Sequence, residues 1–210
     1  MRRRAMISGR ARRTVRRVWR VPWAVVGRQP FLAGCSGNDP AASDDKGFND
    51  ADVAFASEMI QHHAQANQMV DLTMGRKLVP EIATLAEEIR TAQVREMATM
   101  ADRLQAWDKP VPETVRDHAN AHGDGEMGTE LGSELPGMMA AEEMQGLEQA
   151  KGAEFQQMWL QMMIAHHEGA IEMAQTEQEE GTHRGATGMA EQVKTVQNNE
   201  IEKMQDLLAP

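Results

Sequence analysis

The sequence predicts an all-α protein, a four-helix bundle made of two duplicated helical hairpins, and three observations carry that prediction. Aromatic residues are 4% of the 210 positions, tyrosine is absent and methionine occurs 17 times, a composition short of the side chains that strands favour. Residue n matches residue n + 104 over two separate windows. Apolar positions in four segments recur at helical spacings of three and four.

The N-terminal segment, residues 1–35, reads as an address. Ten of the 22 basic residues fall within the first 28 positions, where there is no acid. An apolar stretch, Val21-Pro22-Trp23-Ala24-Val25-Val26-Gly27, follows the arginines, and Leu32-Ala33-Gly34-Cys35 has the form of a bacterial lipoprotein box. Cys35 is therefore the expected lipidation site, although Arg28 interrupts the apolar stretch. Because Cys35 is the only cysteine, an intramolecular disulfide and a multi-cysteine zinc site are both excluded. No apolar run is long enough to span a bilayer, so the expected membrane attachment is through the lipid alone. The expected location is exported, either anchored to the cell envelope or extracellular.

Residues 36–49 are read as a linker and residues 50–208 as the bundle. Beyond the arginine-rich segment, 12 basic residues stand against all 32 acids, a net charge of −20. A body that acidic repels phosphate backbones and attracts cations, so the expected partner is a metal ion and not a nucleic acid.

In the first repeat, Met59-Ile60-x-His62-His63-x-x-Ala66-x-x-Met69 matches Met163-Ile164-x-His166-His167-x-x-Ala170-x-x-Met173 in the second. Across residues 86–104, eight of 19 positions are identical to their counterparts 104 residues on. The periodicity predicts helices over 50–78, 81–107, 153–179 and 186–208, with Pro80 dividing the first hairpin (50–107) and the glycine-containing 181–188 stretch dividing the second (153–208). Neither hairpin can bury its apolar face alone, so the two pack together. The connection over 108–152 reads as irregular, with a short helix near 140–150, and its length permits the ferritin-like arrangement.

The chemistry lies where polar residues occupy apolar stripes: His62, Gln93, Glu96, His166, Gln197 and Glu200. Two readings of that layer stay open. The groups form a satisfied polar layer that fixes the register of the bundle. Alternatively, the imidazoles of His62, His63, His166 and His167 ligate a metal while Gln93, Glu96, Gln197 and Glu200 orient them. Met59 and Met163 lie one turn before the paired histidines, and Met69 and Met173 two turns beyond. Thioether sulfur with imidazole is a soft donor set that selects copper, with Cu(I) favoured over Cu(II). His118, His122, Met127, Met138 and Met139 in the connection are a possible secondary metal site, and His183 reads as a surface residue.

The two His-His motifs, the Gln93-x-x-Glu96 and Gln197-x-x-Glu200 pairs and Pro136-Gly137-Met138-Met139 resemble the bacterial domain-of-unknown-function family numbered 305, over roughly residues 50–208. The resemblance implies a ferritin-like four-helix bundle, usually exported or lipid-anchored, in a family where some members bind copper and protect against copper stress. The chain departs from the family at Gln156, where an aspartate often follows the phenylalanine.

Enzymatic alternatives fit less well. No glutamate stands three residues before any of the paired histidines, as a di-iron carboxylate bundle needs. His167-Glu168 has no histidine at position 171, so it is not a zinc-hydrolase motif. The expectation is a non-enzymatic copper-binding protein that buffers or sequesters the ion. The alternatives are an architectural or partner-binding bundle of the envelope and, below that, a metal-dependent oxidase.

Overall fold

A computed structural model describes residues 47–114 and 135–209. They form five helices: α1 (Asp50–Asp71), α2 (Pro80–Ala106), α3 (Ala141–Gln149), α4 (Gly152–Glu180) and α5 (Arg184–Leu208). Four are long, and α3 is a short helix that packs on α4.

Local chemistry sets the boundaries. Asn49 caps α1 by accepting from Asp52 N, while Asp52 Oδ2 accepts from Asn49 N at 2.7 Å, a reciprocal capping box. α1 stops at Asp71, short of the predicted 78, because the chain turns through Gly75 at φ +71. Arg76 fixes that turn, donating to the carbonyls of Leu72, Ala150 and Glu148 at 2.6 Å each and lying over the Phe155 ring. Pro80 is the first residue of α2, where its missing N–H costs nothing. Gln156, the departure from the family pattern, accepts from Val79 N at 2.8 Å and ties the α1–α2 turn to α4. The turn between α4 and α5 is shorter than the sequence suggested, because His183 caps α5 and leaves Gly185 and Gly188 inside the helix.

The connections fix the topology. His63 bonds Glu96 and Asp71 pairs with Arg90, so α1 and α2 are antiparallel; His167–Glu200 repeats the arrangement in α4 and α5. Trp159 Nε1 donates to Met69 O at 2.9 Å while Asp52 meets Thr182 and His183, so α1 and α4 are also antiparallel. α2 and α4 therefore run in the same direction, so the connection between them joins opposite ends of the bundle. One long crossover of that kind is the ferritin-like arrangement.

The core has two apolar ends. One contains Met69, Val70, Leu85, Ile89, Phe155, Trp159, Met163 and Met204; the other contains Phe55, Met59, Ile60, Met100, Leu104, Ala170, Met173 and Val193. Between them lie the polar residues 62, 63, 93, 96, 166, 167, 197 and 200. The duplication thus places one polar layer across the middle of an otherwise apolar bundle.

Candidate metal centre

Four imidazoles form a row across that layer in the order His63, His62, His166, His167. Ring centroids are 6.5, 3.8 and 6.4 Å apart in turn. All four histidines are fully buried. The two outer rings are held from the paired helices. His63 Nε2 lies 2.7 Å from Glu96 Oε2, and His167 Nε2 lies 2.8 Å from Glu200 Oε2. Both links span 33 residues, as the duplication requires.

The partners fix the tautomers. His62 Nε2 lies 2.9 Å from the carbonyl oxygen of Pro136, which only accepts, so Nε2 carries the proton and Nδ1 the lone pair. His63 and His167 likewise donate from Nε2, since the carboxylate oxygens they face only accept. The Nδ1 atoms of all three have no hydrogen-bond partner among the described residues. Neither ring nitrogen of His166 makes a bond of normal geometry, although the backbone of His62 is near enough to favour its charged form slightly.

Burial keeps the inner rings neutral. It lowers His62 from 6.5 to about 3, with repulsion from His63 and His167 adding to it and the Pro136 carbonyl opposing it. His166 is lowered well below its ordinary value by burial first, then by the neighbouring imidazoles. Neutral imidazole is the form that binds metals.

The other sequence-derived residues fall into separate groups. Met59 and Met173 lie in one apolar end, Met69, Met163 and Met139 in the other, so the eight expected ligands do not converge on one point. Because α1 and α4 are antiparallel, Met59 approaches the layer from one side and Met163 from the other. Gln93 and Gln197, expected to orient the imidazoles, bond none of them: both atoms of each buried amide are without a partner among the described residues. Met138 and Met139 lie on a strap, residues 135–140, that passes over the His62–His166 pair. His118, His122, Met127 and Cys35 lie outside the described residues. Among those described, no three His, Cys, Asp or Glu side chains are gathered as a metal cluster.

His183 is a correction. It is buried, caps α5 by accepting from Ala186 N at 3.1 Å, and meets the Trp107 ring edge-on. Its own N–H donates to Asp52 Oδ1 at 2.9 Å. The Asn49-x-x-Asp52 capping pattern was the available signal for this corner; that Asp52 also grips residues 182 and 183 had no local signal.

The profile of the family described as Domain of unknown function (DUF305) matches residues 52–208. The chain belongs to this family. A DUF305 structure from Streptomyces coelicolor is 30% identical, with 75% of this chain and 91% of that one covered and a TM-score of 0.63. A DUF305 fragment from Deinococcus radiodurans is 25% identical, with 78% and 98% covered and a TM-score of 0.65. CopM in its Cu(II)-bound form is 24% identical, with 75% and 95% covered and a TM-score of 0.58, a likeness of fold. Comparison with curated proteins finds no match.

Proposed function

We propose that this DUF305 protein binds copper, Cu(I) in preference to Cu(II), and serves to buffer or sequester it without catalysis. The observation that carries the reading is the set of buried imidazole nitrogens without a hydrogen bond of normal geometry: Nδ1 of His62, His63 and His167 and both ring nitrogens of His166, with burial keeping the His62 and His166 rings neutral. Leaving one such group buried and unpaired costs about 1–3 kcal/mol, and the duplication maintains several. A bound ion would offset that cost.

The donors present fit a soft ion. The imidazoles form a row and not a shell, so His62 and His166 supply a close nitrogen pair, with His63 and His167 beyond them. Further donors then come from sulfur: Met59 and Met163 one turn from the rings, with Met69 and Met173 deeper in each apolar end. Bound there, copper is held away from thiols and oxygen by the surrounding core. Glu96 and Glu200 hold the outer rings by Nε2 and leave Nδ1 without a partner, which is how a neighbouring carboxylate orients a histidine ligand. CopM, whose fold this chain shares, is known in Cu(I)-bound, Cu(II)-bound and silver-bound forms.

Export fits the same reading. The Streptomyces coelicolor relative is described as a candidate secreted protein, and no described helix is long and apolar enough to cross a membrane. Anchoring through Cys35 is part of the proposal. His118, His122, Met127, Met138 and Met139 are proposed as a weaker secondary site.

The architectural reading has one observation in its favour: the His63–Glu96 and His167–Glu200 hydrogen bonds form without an ion. Competitive titration of the full chain with Cu(I) against a chromophoric chelator separates the two, with Zn(II) as control and a Met59→Leu/Met163→Leu variant alongside. Tight Cu(I) binding that weakens in the variant is the expected result. A folded wild-type chain that takes no Cu(I) from the chelator refutes the proposal.

A further inference from the structure

The two halves are unequal at one place. By the 104-residue offset, Gln65 of α1 corresponds to Gly169 of α4, and both residues meet the strap 135–140. Gln65 grips the strap at both backbone polar groups of one residue: its Nε2 donates to Met139 O at 2.8 Å, and its Oε1 accepts from Met139 N at 2.7 Å. Gly169 does the opposite and makes room. A Cβ there would collide with the carbonyl of Pro136, and a Cβ at Gly137, φ +74, would meet Ala165 O at 2.5 Å. Backbone therefore lies directly on backbone, with the Pro136 carbonyl turned inward to His62 Nε2.

The cover over the buried imidazole row differs in kind from side to side. On the α2 and α5 side it is two long helices packed through both apolar ends. On the other side it is an irregular strap, held by the Gln65 pair, the His62 bond, the glycine contact, a Leu135–Met138 turn bond and the Ala140 cap of α3, with Met139 seated in one apolar end and Leu135 against the other. A six-residue segment without a helical ladder opens at lower free energy than the long core helices around it.

We infer that residues 135–140 are the removable cover of the buried His62–His166 pair, with Gln65 as its latch, and that ions and small reagents reach the imidazoles when the strap lifts. For copper, this rests on the proposed function. Gln65 is a positioning residue: it touches no imidazole, and its removal changes the rate of access more than the strength of binding. The His62–Pro136 bond couples the two events, because the carbonyl that fixes the His62 tautomer leaves with the strap.

Two variants test the inference from opposite helices. Gln65→Leu removes both bonds to Met139, and Gly169→Ala forces the strap away from α4 without touching Gln65. Two readouts are taken on the full chain: the rate at which diethyl pyrocarbonate modifies His62 and His166 in apo protein, and the rate at which a chelator removes preloaded Cu(I). Loss of two backbone bonds predicts about a tenfold acceleration of both in Gln65→Leu. Gly169→Ala should accelerate both as well, with helix content unchanged by circular dichroism in either variant. Wild-type rates in both folded variants would overturn the inference while leaving any copper binding intact. Faster modification in a protein that binds no copper would support the removable cover and defeat the copper reading. Should Gln65→Leu fail to fold, Gly169→Ala alone decides by the same criteria.

Discussion

His62 and His166, one from each half of the duplication, meet in a tilted ring contact across the α1–α4 interface with centroids 3.8 Å apart and planes inclined at 42°. Two protonated imidazoles at that separation repel strongly, and burial removes the water that would screen them. The contact therefore exists only while the rings are neutral, and this gives the fold a definite response to acid.

The sign follows from proton binding. An unfolded chain protonates these histidines near 6.5, whereas burial holds folded His62 down to about 3 and moves His166 the same way. The unfolded state binds more protons through that window, so stability falls as pH drops below about 6.5. The urea midpoint should decline between pH values of about 6.5 and 4, and a His62→Gln/His166→Gln variant should decline less steeply. An equal slope in the variant would assign the acid sensitivity to other groups.

At the corner between α1, α4 and α5 the sign reverses. Glu177 is buried and raised from 4.5 to about 8, first by desolvation and then by the hydrogen bond and charge of Asp52. Two ionised carboxylates cannot bond, and with both ionised neither Glu177 oxygen has a donor among the described residues. A proton on Glu177 converts the contact into a hydrogen bond. Stability from this pair is fully present below 4.5 and is lost as pH rises through about 8. Glu177→Gln keeps a donor towards Asp52 at every pH. Its urea midpoint should exceed that of wild type at pH values above about 8 and match it more closely near neutrality. A variant weaker than wild type in alkali would show that Glu177 is stabilising when ionised.

Asp52 itself is a clasp. Burial alone would raise its pKa, but bonds from Asn49, His183, Glu177 and Thr182 together hold it below 3.8. It accepts from Asn49 N at 2.7 Å, His183 N at 2.9 Å and Thr182 Oγ1 at 3.2 Å, joining the start of α1 to the turn before α5. Asp52→Ala strands these buried donors and should cost about 2–4 kcal/mol in chemical denaturation, beyond the effect of a lost helix cap alone. A loss of only about 1 kcal/mol would mean that water satisfies the turn.

The bundle and its polar layer were legible because two regularities act together. The 104-residue offset reveals the repeat, and the helical period puts His62, Gln93, Glu96 and their counterparts on inward faces. The departures from that symmetry were not legible. Gln65 and Gly169 occupy equivalent positions, and only the path of an irregular crossover, with contacts 74 residues apart, makes one a latch and the other a gap. His183 misled for the same reason: a histidine beside glycines looks exposed, but Asp52, 131 residues away, draws its backbone inward. The split of the methionines between two apolar ends follows from the antiparallel packing of α1 with α4, which a repeat read along the sequence does not disclose.

Gln93 and Gln197 provide the sharpest test of what the layer is for. Both are 2% exposed, and neither amide has a partner among the described residues. In an architectural layer these amides would be satisfied, and replacing them by leucine would destabilise the bundle. If the layer is instead kept for binding, the unpaired amides are a standing cost that apolar side chains of similar volume relieve. The Gln93→Leu/Gln197→Leu variant of the apo protein should then gain about 1 kcal/mol or more in urea denaturation. The same substitution should weaken Cu(I) retention in the chelator competition, because it removes buried polar groups from the layer that holds the imidazoles. Stability and binding moving in opposite directions is the expected signature of a site maintained at the expense of the fold, whereas a joint loss of stability and binding would assign the glutamines to architecture.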